Sequence, residues 1–249
     1  MLSTVILTHN ESSNIRACLQ SVSFSDQVII VDDYSTDDTL SLARHIYPQV
    51  KIIKHHLHHN FAQQRNLGLS IASGDWVLFI DADEIVSPQL QDEILSAIKS
   101  PRAYGYYLYR QDSFLGTSIS HGEAGHIKLL RLARQGSGQW ARPVHEVWQV
   151  SGKLSILNSP LIHSPHPTIS VFLDSINRYT TIDSTYRYLQ GERFHLWQLF
   201  LLPTGKFLYN YFLKLGFLDG FPGLTLAYIM SLHSLLVRIK LYELQKNTQ

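Results

Sequence analysis

No glycine stands before Gly68 in this chain of 249 residues. A parallel α/β domain that cradles phosphate with backbone amides needs G-x-G-x-x-G or G-x-x-x-x-G-K-[ST] behind its first strand, so a dinucleotide dehydrogenase and a P-loop NTPase are both excluded. Cysteine is nearly absent as well. Cys18 stands alone, which rules out an internal disulfide and permits a reducing compartment. Charge of either sign is scarce and balanced: 21 Lys and Arg meet 20 Asp and Glu, for a net charge of +1. Without a long basic run there is no electrostatic basis for tracking a nucleic-acid backbone. The amino terminus enters a strand pattern at once, with no basic n-region followed by an apolar h-region. No run reaches the roughly 20 apolar residues of a membrane-spanning helix, so none is expected.

What is present is a repeating unit. Leu2 to Thr8 reads as a strand. His9-Asn10-Glu11-Ser12-Ser13-Asn14 then supplies helix-start residues ahead of Ile15, Leu19 and Val22. Val28 to Val31 is a second strand ending on Asp32-Asp33, followed by a helix over Thr39–Tyr47. Val50 to Ile53 and a helix over Asn60–Ser73 complete a third unit. Strands alternating with helices at this spacing imply a mostly parallel sheet covered on both faces.

The fourth strand carries the chemistry. Trp76 to Ile80 is apolar throughout and runs into Asp81-Ala82-Asp83-Glu84, so a strand buried on both faces ends in acids where open α/β sheets bind ligands. Two close carboxylates repel unless a cation lies between them, and a hard divalent ion carrying diphosphate oxygens suits that place. With no glycine-rich loop, a nucleotide must be held by side chains. Thr8, Asn10 and Glu11 in the first loop, Asp32 and Asp33 in the second, and Arg65 on the third helix are the candidates. Carboxylates can accept from ribose hydroxyls or a base imide, and Arg65 can face a diphosphate.

Four motifs now stand in order: Thr8-His9-Asn10-Glu11, Val31-Asp32-Asp33-Tyr34-Ser35-Thr36-Asp37, Asn60 with Gln64-Arg65-Asn66-Leu67-Gly68, and Gly74-Asp75 with Phe79-Ile80-Asp81-Ala82-Asp83. Together they resemble the family 2 glycosyltransferases of GT-A fold over roughly residues 2–150, and most of all small bacterial enzymes related to lipopolysaccharide-core glucosyltransferases. The resemblance implies a Rossmann-like α/β domain, a nucleotide-diphosphate sugar donor, Mg²⁺ or Mn²⁺, and inversion at the anomeric carbon. It assigns Thr8 and Glu11 to the nucleoside pocket, Asp32 or Asp33 to the base, Arg65 to the nucleotide side, and Asp81 and Asp83 to ribose and metal.

Beyond Asp83 the pattern changes. A helix over Gln89–Ile98 follows Ser87-Pro88. Strands are expected over Tyr104–Tyr109, Ile127–Leu132 and Val147–Ile156, with a turn at Gly136-Ser137-Gly138. In GT-A enzymes this half faces the acceptor. Here Trp140-Ala141-Arg142-Pro143-Val144-His145-Glu146 gathers an aromatic, a fixed cation, an imidazole and a carboxylate. Inverting transfer needs a carboxylate to take the acceptor hydroxyl's proton. Glu146 is the candidate base, with pairing to Arg142 as its structural alternative. His145 is the candidate to contact the diphosphate or complete the metal's coordination. The histidines at 55–56, 58–59, 121, 126, 163 and 166 read as loop residues.

A helix is expected over Thr168–Leu189, and from Leu196 the chain is rich in Leu, Phe and Tyr. The expected organisation is a catalytic domain over 1–190, with a nucleotide-sugar half (1–110) and an acceptor half (111–190). Amphipathic helices over 191–249 follow it. They are read as a peripheral membrane contact on the cytoplasmic face, near a glycan or lipid-linked acceptor. Two other function classes remain: an Asp-x-Asp phosphotransferase, which places that motif on its first strand, and a non-catalytic sugar- or lipid-binding relative.

Overall fold

The structure is a computed structural model and describes residues 1–58, 60–143, 146–163 and 168–247. Its chain divides into two compact units, Met1–Arg110 with Lys128–His163, and Gln111–Ile127 with Ser164–Gln249.

In the first unit, β1 (Leu2–Thr8), α1 (Ile15–Ser21), β2 (Gln27–Asp32), α2 (Thr39–Ile46), β3 (Lys51–Lys54), α3 (Phe61–Ile71) and β4 (Trp76–Asp81) follow one another as the periodicity requires. Next come β5 (Glu84–Val86), α4 (Pro88–Lys99), β6 (Gly105–Phe114), β7 (Thr117–Ser118), β8 (Ile127–Arg134), β9 (Gly138–Ala141), β10 (Val147–Val150) and β11 (Leu154–His163), of which β7 and the end of β6 from Gln111 belong to the second unit. The main sheet runs β3-β2-β1-β4-β8-β6-β11-β5, with β7 attached to β6. β1 pairs in parallel with both β2 and β4, while β8 pairs antiparallel to β4. The sheet is therefore mixed, parallel around β1 and antiparallel at β8.

Strand alternation sends Ile6, Ile30, Leu78 and Ile80 to one face, against Ile15 and Leu19 of α1, Leu40 of α2 and Leu90 and Ile94 of α4. The other face takes Val5, Leu7, Ile29, Val31, Val77 and Phe79, packed under Ala62 and Leu69 of α3 and against Trp140 and Trp148. α3 lies close to the sheet because Gly68 carries no Cβ; one placed there would sit 2.3 Å from Val5 Cγ1. Helix starts follow the cap rules, with Asn60 accepting from the Gln63 amide and Ser87 from the Leu90 amide.

Two strand expectations change. Val147–Ile156 is not one strand, because Gly152, at φ +101°, turns the chain between β10 and β11. β10 then pairs with β9 in a separate ribbon, while β11 joins the main sheet. His163 is not a loop residue. It closes β11, opposite Glu84 of β5, and is buried.

The second unit holds α5 (Ile169–Leu189), capped by the Thr168 hydroxyl, and α6 (Gln198–Leu208). A π-helical turn over Tyr209–Leu213, a 3-10 turn over Gly216–Asp219 and α7 (Gly220–Lys246) complete it. Its core joins Phe114, Ile119, Phe172, Ile176 and Ile229, so α5 packs with the carboxyl-terminal helices. The expectation that no helix could span a membrane is corrected. Gly216–Lys246 is long and apolar enough by length and composition, since Pro222 sits in the first turn of α7, where the missing amide costs little.

Candidate active site

Parallel pairing delivers the acids to one edge. Thr8 is in register with Asp32, and Leu7 with Asp81, so the carboxyl end of β1 lies between the two aspartates. Around Asp81 the structure builds a lattice of alternating charge. Asp81 Oδ1 accepts from Arg65 Nη2 at 2.9 Å and Oδ2 from Arg131 Nη2 at 2.8 Å. Arg65 also donates through Nε to Glu146 Oε1 at 2.8 Å, while its guanidinium carbon lies 4.8 Å from the Trp140 ring centroid. That side chain is 2% exposed. The expected pairing of Glu146 with Arg142 is absent among the described residues; the partner is Arg65.

Burial alone would raise the Asp81 pKa, but the Arg131 and Arg65 guanidiniums override it and hold the carboxyl well below its ordinary range. Glu84 is fully buried behind it. Its Oε2 accepts from the Asp81 amide at 2.8 Å, and its Oε1 lies 3.5 Å from Arg131. Burial pushes the Glu84 pKa up, with Arg131 opposing. Burial likewise works against the charge on Arg131, yet Asp81, Glu84 and Glu146 keep that guanidinium firmly protonated.

Asp83 is less encumbered. Its Oδ2 lies 3.3 Å from His163 Nε2, and the carboxylate is partly exposed. Glu11 is no helix-dipole acid, since α1 begins at Ile15 and has no acid in its first turn. Burial raises the Glu11 pKa to about 7, against the Asn14 hydrogen bond and with help from Asp83, Asp37 and Asp81.

The two loops fare differently. Asp32 is buried and spends both oxygens on Ser35, accepting from its amide and hydroxyl. Asn10, in the left-handed region at φ 56°, accepts from the Thr36 amide and ties the first loop to the second. Asp33 stays partly open while accepting from the Leu57 amide at 2.9 Å. Tyr34 stacks on His56 beside it, ring centroids 3.9 Å apart. Thr8 Oγ1 is buried with no hydrogen-bond partner. His145 lies outside the described residues.

Thus the structure gathers Asp81, Arg65 and Glu146 in one network and sets Asp83 and Glu11 within electrostatic reach of it. Asp32 acts as a loop tie. Sequence reasoning missed Arg131, Glu84 and His163. A charged residue within the apolar run Ile127–Leu132 was the available signal for Arg131, because such a strand buries it.

The donor set fits a divalent ion held by few protein oxygens. No group of three or more His, Cys, Asp or Glu side chains forms a cage among the described residues, but Mg²⁺-type sites use one or two carboxylates plus substrate phosphates. Asp83 suits that role better than Asp81, both of whose oxygens already accept from guanidiniums. Buried Arg65 Nη1 and Arg131 Nη1 have no hydrogen-bond partner, as donors awaiting an oxygen-rich anion would.

Comparison with known proteins places the chain. Residues 3–145 match the family model for Glycosyl transferase family 2, and the chain belongs to that family. An uncharacterized glycosyltransferase of Rickettsia typhi is 30% identical, with 98% of this chain and 87% of that one covered. The lipopolysaccharide core biosynthesis glycosyltransferase LpsC of Rhizobium meliloti is 25% identical over 97% and 92% of the respective chains. Among solved structures, the mannosyltransferase PcManGT from Pyrobaculum calidifontis, in complex with GDP-Man and Mn²⁺, superposes with a TM-score of 0.56 at 12% identity. It covers 97% of this chain and 86% of its own. TarS residues 1–349 from S. aureus give 0.52 at 14% identity, covering 99% and 91%. At these identities the two structures bear on the fold alone.

Proposed function

We propose that this family 2 glycosyltransferase moves a hexose from a nucleotide-diphosphate sugar to a glycan or lipid-linked acceptor in cell-envelope polysaccharide or lipopolysaccharide synthesis. Transfer proceeds with inversion. The family match supports transfer, the relative LpsC supports the envelope acceptor, and the donor class and metal rest on the partly exposed Asp83 carboxylate beside the Arg65–Asp81–Arg131 network.

One observation carries the reading. Glu146 has Oε1 anchored by a buried guanidinium, while among the described residues no donor bonds Oε2. A base needs that asymmetry: one oxygen fixes the carboxylate, and the other receives the proton as the acceptor oxygen attacks. The same Arg65 reaches Asp81, so base and donor-side acid are held at a fixed separation. Thr8, Asn10, Glu11 and Asp33 line the nucleoside side. Asp83, with Asp81 behind it and His145 as a further candidate, would hold Mg²⁺ or Mn²⁺, which when bound neutralises charge building on the departing diphosphate. The proposed location is the cytoplasm, peripherally on the inner membrane face.

The test is a panel of nucleotide sugars incubated with the protein and Mn²⁺ or Mg²⁺, reading nucleoside-diphosphate release. Release with one donor and none from Glu146→Gln supports the reading. No release with any donor and a broad acceptor set, the lipid-linked class included, refutes it.

A further inference from the structure

The helical unit contains a segment with its polarity reversed. From the turn before α6 to the π-helical turn, exposed side chains come in pairs spaced by four, eight and four residues: Leu196 and Trp197, Phe200 and Leu201, Leu208 and Tyr209, Phe212 and Leu213. Gln198 and Asn210 are buried instead. Asn210 faces inward to accept from the Glu123 amide at 2.9 Å. A helix on a water-facing surface buries its apolar stripe and exposes its amides; this one does the opposite.

Its charges have one sign. From Arg193 through Leu218 the chain carries Arg193, Lys206 and Lys214 and no acid. Behind the stripe, where α6, α7 and Glu123 meet, lies an open cavity of about 410 Å³, lined in part by Leu201, Lys206, Tyr209, Ser234 and Arg238. Lys206 is neutralised by Glu123. Arg238, 13% exposed, is not so well served. Its Nη1 lies 3.4 Å from Glu192 Oε1, while Arg187 engages Oε2 of the same carboxylate at 3.0 Å, and its buried Nε and Nη1 make no hydrogen bond. Nε and Nη1 are buried, but the side chain lines the open cavity beside Lys206, and a guanidinium at such a place matches a phosphate.

We propose that this face docks on an anionic phospholipid surface, with a lipid phosphate seated in the cavity against Arg238 and the Leu, Phe and Trp stripe entering the acyl boundary. The inference deepens the peripheral-membrane part of the proposed function and rests on it. The stripe supplies the apolar burial, and Arg193 and Lys214, which lie outside the Lys206–Glu123 pair, supply the attraction to the surface. A second copy fits less well. An isologous pair would bring Arg193 and Lys214 of both copies towards one another across its axis.

The experiment is flotation of the full chain with phosphatidylcholine vesicles and with mixed phosphatidylcholine–phosphatidylglycerol vesicles, alongside sedimentation to fix the oligomeric state. The chain is expected to float only with the mixed vesicles. Arg238→Gln should weaken that partitioning about fivefold, and Leu201→Glu with Phe212→Glu should abolish it. Thermal unfolding should stay cooperative, and transfer to a water-soluble acceptor unchanged. If wild-type chain ignores both vesicle types, or forms a dimer that the stripe variants dissociate, membrane contact fails together with this inference. Should wild-type and Arg238→Gln float equally, the phosphate seat is overturned while membrane contact stands. Diphosphate release, measured apart, reports on the transferase reading alone.

Discussion

Arg65 donates to Glu146 across 81 positions of sequence, at 2.8 Å. The contact joins α3 to the segment before β10. It also makes the position of the candidate base depend on a helix whose other task is to cover the sheet.

Replacing that guanidinium with an ammonium keeps the charge and loses the fork. Lysine cannot hold Glu146 and Asp81 in two fixed directions at once, so Arg65→Lys is expected to lower turnover by about 10²-fold through misplacement. Arg65→Ala leaves Glu146 without its partner and Asp81 with Arg131 alone, and should cost about 3 kcal/mol in urea unfolding. Wild-type turnover from Arg65→Lys would show that the bridge positions nothing.

Glu146→Gln preserves shape and removes basicity. Turnover should fall by about 10² or more, while donor affinity by calorimetry with the intact nucleotide sugar barely changes. If donor affinity collapses instead, Glu146 belongs to the donor pocket.

Asp83→Ala should abolish transfer and the Mn²⁺-dependent component of nucleoside-diphosphate binding, with the thermal transition retained. Full activity of this variant, or of wild type in excess chelator, contradicts the metal assignment.

Asp37 gives a pH prediction. Its carboxyl is lowered from 3.8 to about 2: burial pushes upward, and hydrogen bonds from Thr39 and the Ser12 amide outweigh it. Because the folded value is depressed, the stabilisation is present above the unfolded value and is lost as pH falls through about 2. Asp37→Asn should therefore lower the melting temperature at neutral pH and match wild type near the acid end of that window.

Gly68→Ala places a methyl 2.3 Å from Val5 Cγ1 and 3.3 Å from Val31 Cγ2. Overpacking of this kind costs about 1–3 kcal/mol. The same variant should lower turnover, because lifting α3 from the sheet draws Arg65 away from Asp81.

Local pattern determined much of this protein. The apolar run of Trp76–Ile80, the helical spacing before it and the Asn60 and Ser87 caps are short-range properties, and they set the parallel half of the sheet and the edge where Asp81 and Asp83 stand. Pairings across long stretches of chain were decided only in three dimensions. Asp32 and Asp33 read alike in sequence, and only the Ser35 turn separates the loop tie from the open carboxylate. Arg131 and Glu84 sit on strands whose partners are distant in sequence, and Arg65, read as facing a diphosphate, gained Asp81 and Glu146 as partners only once α3 was laid against the sheet. Composition around α6 announced surplus apolar surface. Which side of the helix carried it depended on where Gln198 and Asn210 found their hydrogen bonds, and that was settled by packing against the rest of the unit.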